Sequence, residues 1–115
     1  MIRRSEEKIT EVKKVFNGAG EAVMRKILNG ADEMYGKGRV FNHALLHPGC
    51  EIGWHVHQGD GETYYILRGH GIFNDNGTTV EVGPGDVTFT NSGEGHALLN
   101  DGEEDLEFIA LILFR

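Results

Sequence analysis

At 115 residues the chain fits one domain and leaves little room for a second. Its 18 acidic against 11 basic residues give a net charge of −7, which argues against nucleic acid or an anionic membrane as partner, since both carry phosphate charge. No apolar run is long enough to span a bilayer, and the charged start Arg3-Arg4-Ser5-Glu6-Glu7-Lys8 is unlike a secretory signal. The single cysteine, Cys50, cannot form an intrachain disulfide, so the expected compartment is the reducing cytoplasm.

Residues 1–38 read as an N-terminal arm or strand ahead of a core over 39–115. Ile9, Val12, Val15 and Phe16 sit at helical spacing and predict a short amphipathic helix. Ala22–Leu28, bracketed tightly by Gly18, Gly20 and Gly30, favours a strand, and 29–38 a loop. From Arg39 onward, short runs rich in Val, Ile, Phe, Tyr and Thr alternate with turn residues. Strands are expected near 39–47, 51–57, 62–68, 70–74, 78–82, 86–90, 95–100 and 104–114. Asn76-Gly77 is a two-residue hairpin signal, and Gly83-Pro84-Gly85-Asp86 a sharp turn. Seventeen glycines, far above average usage, punctuate these segments rather than forming a low-complexity block. The pattern is that of an all-β sandwich or barrel.

The chemistry is concentrated in Gly49–Glu62. In His55-Val56-His57 on a strand, both imidazoles share a face, because side chains alternate with period two. Gln58-Gly59-Asp60-Gly61 turns the chain, and Glu62 opens the returning strand about 4.8 Å away. Two nitrogens and one carboxylate on a common face form a facial metal-ligand set with positions left open. His96, far along the chain near the start of a strand, completes a three-histidine, one-carboxylate shell if its strand lines the same interior.

These residues resemble the cupin superfamily. Its first motif is Gly, five residues, His-x-His, three or four residues, Glu, six residues, Gly, which Gly49, His55, His57, Glu62 and Gly69 match throughout. Its second is Gly, five residues, Pro-x-Gly, two residues, His, three residues, Asn. Gly85, Gly93, His96 and Asn100 match it, with Asn91 where proline is usual. Two motifs matching jointly are far more specific than a lone His-x-His. The resemblance covers about residues 39–114 and implies a single-domain jelly-roll, or double-stranded β-helix, barrel. It also implies that His55, His57, Glu62 and His96 bind one divalent metal, and that the chain forms a homodimer. Imidazole and carboxylate without thiolate leave Fe, Mn, Ni, Co and Zn open.

Fold does not fix chemistry. The first expectation is a metal-dependent, dioxygenase-like enzyme acting on a small oxygen-bearing molecule, with Tyr64 assisting as an acid. The alternatives are an isomerase- or decarboxylase-like cupin, with His43, Glu94 or Tyr64 as proton shuttle, and a non-catalytic small-ligand sensor. Counting from Glu62, Tyr64 and Ile66 point inward, and Tyr64 either serves the site or simply packs in the core. His43, on the strand before the first motif, is either a pocket acid/base or a partly buried, hydrogen-bonded histidine. Cys50 is expected buried, Trp54 outward, and His47 and His70 solvated. Strand parity predicts a largely apolar pocket wall of Phe41, Leu45, Tyr64, Ile66, Phe73, Phe89 and Leu98. An arginine anchor for an anionic ligand would have to come from Arg25, Arg39 or Arg68. The apolar run Leu106–Phe114 would be hazardous as an uncovered edge, which a dimer would solve.

Overall fold

A computed structural model describes all residues, Met1 to Arg115. Ten strands account for most of them: β1 (Thr10–Lys13), β2 (Ala22–Leu28), β3 (Gly38–Leu46), β4 (Glu51–Val56), β5 (Asp60–Arg68), β6 (Gly71–Asp75), β7 (Thr78–Val82), β8 (Val87–Thr90), β9 (Gly95–Leu99) and β10 (Leu106–Phe114). They form a six-stranded sheet ordered β1-β2-β3-β10-β5-β8 and a four-stranded sheet ordered β4-β9-β6-β7. The named strands pair antiparallel throughout both sheets. This is the jelly-roll barrel that the cupin resemblance implies, and each expected strand from Arg39 onward is present. No helix is long and apolar enough to cross a membrane.

The core lies between the two sheets. Leu46, Ile66, Phe108 and Leu106 from one face Ile52, Phe73 and Leu98 from the other. Full burial of each large side chain is worth about 1.5–3 kcal/mol. β6 and β7 are joined by Asn76-Gly77, both at positive φ (50° and 105°), as a type I′ hairpin demands. Asn100, wholly buried, donates from Nδ2 to the carbonyls of Leu46 and Glu104, each at 2.8 Å. The last residue of the second motif therefore ties the β9 end to the ends of β3 and the 101–105 turn.

Three expectations are corrected. The segment around Ile9–Phe16 is no helix: after a short 3-10 turn at Ser5–Glu7 it runs as β1, paired with β2 in the register Glu11↔Met24 and Val12↔Val23. Its helical spacing was coincidental, because Ile9 and Val12 are about half exposed while the charged Glu11 and Lys13 face the barrel interior. β10 is not an edge. It lies between β3 and β5, so the dimer argument from an uncovered Leu106–Phe114 edge lapses. Of the expected wall only Tyr64 lines the cavity: Phe41, Leu45 and Phe89 are on the other face of their strands, and Ile66, Phe73 and Leu98 pack in the core. On β3 the inward positions are Val40, Asn42 and Ala44, and on β8 they are Thr88 and Thr90. Apolar residues occupy both faces of this sheet, so hydrophobicity alone could not set the parity.

Candidate metal centre

His55 lies at the end of β4 and His57 just after it, Glu62 early in β5, and His96 on β9 directly opposite His55 in the strand register. One ligand atom from each of the four lies within 4.8 Å of every other. The Nε2 atoms of His57 and His96 are 3.2 Å apart, and those of His96 and His55 3.0 Å. Glu62 Oε1 sits 3.1 Å from His96 Nε2, 3.2 Å from His57 Nε2 and 3.8 Å from His55 Nε2. Two donors about 2.1 Å from one ion and at right angles to each other lie about 3.0 Å apart. The donor set therefore has the span of one transition-metal ion, with donor chemistry suited to it.

The far side of each ring is also held. His55 Nδ1 donates to the Gly53 carbonyl at 2.8 Å and His57 Nδ1 to Asp60 Oδ1 at 2.7 Å, while His96 Nδ1 bonds Thr90 Oγ1 at 2.8 Å. A carbonyl and a carboxylate only accept, so the removable proton of His55 and of His57 is the one on Nε2. Once that proton leaves, the lone pair points into the cluster. Such outer hydrogen bonds fix ring orientation and raise ligand basicity.

Electrostatics follow from this packing. Burial alone would raise the Glu62 carboxyl, but hydrogen bonds to His55, His57 and His96 outweigh it and hold Glu62 far below the usual carboxylate range. The Glu62 hydrogen bond raises the His57 imidazole against its burial, with Asp60 helping. His96, fully buried, is pushed down by desolvation. Asp60 would be raised by burial, yet His57 and Arg39 keep it low.

His55, His57 and Glu62 line the floor of a cavity of about 280 Å³, with the fully buried His96 behind them. Its waist is apolar, with Val15, Met24, Val40, Ile52, Phe108 and Ile112, and charged and amide side chains also line it. Phe16 stacks flat on His55, with ring centroids 3.9 Å apart and planes within 9°. It is presented by a segment that touches β4 backbone to backbone: Gly53 N donates to Val15 O at 3.0 Å, and Glu51 N to Ala19 O at 2.8 Å. Any Cβ on Gly53 would run into the Phe16 carbonyl, and any Cβ on Gly18 into that of Glu51. Only glycine permits this approach at either position.

Tyr64 points inward as expected. It is buried, stacks on His96 at 5.0 Å, and lines the cavity. Burial, with Glu62 adding to it, pushes its phenol well above the usual value. His43 is on the outer face of β3, bonded to Glu107 at 3.1 Å, and does not reach the cavity; the β3 parity that excludes Phe41 excludes it too. Glu94 closes the turn before β9 by accepting from Asn91 N at 2.9 Å. Of the three arginines only Arg39 lines the cavity, bound to Asp60 at 2.9 Å. Trp54 is half-exposed over Gly95, and Cys50 packs against the core. The sequence reading missed Asp60, Phe16, Lys13 and Lys26. Asp60 had a signal, since it stands two residues before Glu62 and shares its face.

Comparison with known proteins identifies the family. The family model described as a cupin domain matches residues 42–112. An oxalate-binding protein from Thermotoga maritima is 42% identical over 113 residues, covering 98% of this chain and 93% of that protein. A solved Thermotoga maritima structure described as a predicted oxalate decarboxylase superposes with a TM-score of 0.94 at 43% identity, covering 100% of both chains. A polyketide cyclase from Streptomyces resistomycificus shares the fold at 24% identity and TM-score 0.75, over 99% of this chain and 80% of that one. The protein belongs to the cupin family.

Proposed function

We propose that the chain binds one divalent transition metal through His55, His57, His96 and Glu62 and uses it to capture a small carboxylate of the oxalate class. The observation that carries the reading is the convergence of three Nε2 atoms and one carboxylate oxygen on a cavity floor. When bound, the metal supplies a Lewis acid with coordination positions for ligand oxygens. The oxalate class is supported by the Thermotoga maritima relative's name and its identity with this chain.

The chain's own residues favour capture over turnover. Tyr64 is held protonated by burial. Glu11, the one cavity-lining carboxylate outside the ligand set, is held ionised by hydrogen bonds from Lys26 and Lys13. Both groups are shifted away from neutrality, which weakens them as the proton shuttles that isomerase or decarboxylase chemistry uses. The dioxygenase-like reading uses the same four ligands and differs in consuming oxygen.

Calorimetric titration with oxalate tests this, using protein loaded with Mn(II), Fe(II), Ni(II), Co(II) or Zn(II) and protein stripped of metal. Saturable binding by loaded protein alone, with oxalate recovered intact and no oxygen uptake, is the expected result. Consumption of oxalate or oxygen would make the protein an enzyme, and no binding to any loaded form would refute the ligand class.

We also infer a homodimer across the outer face of the six-stranded sheet. Tyr65 and Leu67 of β5 and Val87 and Phe89 of β8 are exposed side by side there, and clustered exposed apolar side chains are where partners dock. Light scattering should give twice the 12.7 kDa chain mass; a monomer at micromolar concentration would count against it.

A further inference from the structure

The cavity mouth carries charges that the metal cluster does not explain. Glu11 and Lys13 on β1 and Lys26 on β2 all line the cavity. Glu11 Oε1 is 3.0 Å from Lys26 Nζ and Oε2 is 3.3 Å from Lys13 Nζ. Arg39, the other cation on the wall, is already bound to Asp60. One carboxylate thus serves two ammonium groups, leaving a surplus positive charge at the mouth of a protein whose net charge is −7.

Edge protection is the competing explanation, because strands at sheet edges often turn a charge inward. It suits Lys13, as β1 is the edge of its sheet. It does not suit Lys26, since β2 is paired on both sides, with β1 and with β3. An inward lysine on a covered strand of a small cavity, next to the amide of Asn42, is better explained by what enters the cavity.

We propose that Lys13 and Lys26 form an anion-recognition site at the cavity mouth, for which Glu11 is the built-in counter-ion that an entering carboxylate displaces. This rests on the capture reading above and deepens it. The metal supplies chelation, and the lysine pair makes the pocket select by ligand charge. Neutral chelators of the same shape gain nothing from the pair, whereas a dianion gains from both ammonium groups.

The test is a charge series on one skeleton: oxalate, oxamate and oxamide, titrated calorimetrically into Zn(II)-loaded and metal-stripped protein. Lys26→Met and Lys13→Met should each weaken oxalate binding by about 3- to 10-fold, with the oxalate effect reduced by added salt. Oxamide binding and zinc content should not change. Glu11→Gln should tighten oxalate binding several-fold, a sign that loss of a merely structural ion pair would not give. Oxalate binding to zinc-loaded protein that ignores all three substitutions would overturn the proposal and leave chelation standing. Metal-independent binding that still follows the lysines would support the mouth site and sink the chelation reading. No oxalate binding to either form would overturn both.

Discussion

The floor and the mouth of the cavity are built on opposite principles. At the floor, every histidine is fixed at both ends of its ring, by the cluster on Nε2 and by Gly53, Asp60 or Thr90 on Nδ1. His57, Glu62 and His96 are all buried. At the mouth, Lys13, Lys26 and Glu11 are 30–56% exposed and hold one another through flexible side chains. Surface ion pairs of that kind contribute little stability. The floor is therefore a site of fixed geometry, suited to an ion with strict distance demands. The mouth is adjustable and suited to sorting what arrives. Phe16 joins the two, standing on the mouth segment and stacked on a floor histidine.

The largest effect should come from breaking the floor. His57→Ala removes a donor whose neighbours remain aimed at its place, and bound metal should fall from near-stoichiometric to a small fraction while circular dichroism still reports a folded barrel. Retained metal would contradict the assignment. Asp60→Asn leaves all four donors but replaces the carboxylate behind His57. Metal affinity should fall roughly 10- to 100-fold, read by competition with a chromogenic chelator; an unchanged affinity would show that the outer hydrogen bond is idle.

Acid should act on the floor in a defined direction. Glu62 and Asp60 raise the His57 imidazole, so its Nε2 proton is held more tightly than in a free imidazole and must leave before metal binds. Metal affinity is then full at alkaline pH and begins to fall above about pH 6.5, the ordinary imidazole value, steepening as the pH drops further. A profile flat down to pH 5 would break this account.

At the join, Gly53→Ala drives a methyl into the Phe16 carbonyl. A loss of about 1–3 kcal/mol in unfolding free energy is expected, together with faster metal exchange as the segment lifts. The smallest effect is that of Phe16→Leu. It removes the flat cover from His55 and should speed metal release several-fold while leaving stability within about 0.5 kcal/mol; an unaltered release rate would make Phe16 a bystander.

The same contrast governs what could be read from the chain. His55, His57 and Glu62 are close in sequence, so strand alternation and one short turn suffice to bring them together. The second motif then supplied His96. Tyr64 followed from parity on the same strand. The mouth had no such local signal. Lys13 and Lys26 reach the cavity because β1 and β2 add to the sheet beyond β3, a long-range placement that spacing does not encode. Ile9 and Val12 misled because both are about half exposed, while β1 turns Glu11 and Lys13 inward. Phe41 was misplaced, and the choice between pocket and outer face for His43 stayed open, because both faces of β3 carry bulky groups, which removes the polarity difference that normally marks the inside of a strand.

The central claim is that His55, His57, Glu62 and His96 hold one metal ion. Elemental analysis of protein purified without added metal, beside the His57→Ala variant, tests it most directly. Near-stoichiometric iron, manganese, nickel, cobalt or zinc in the parent alone is the predicted result. No metal in either protein, even after reconstitution, would contradict it.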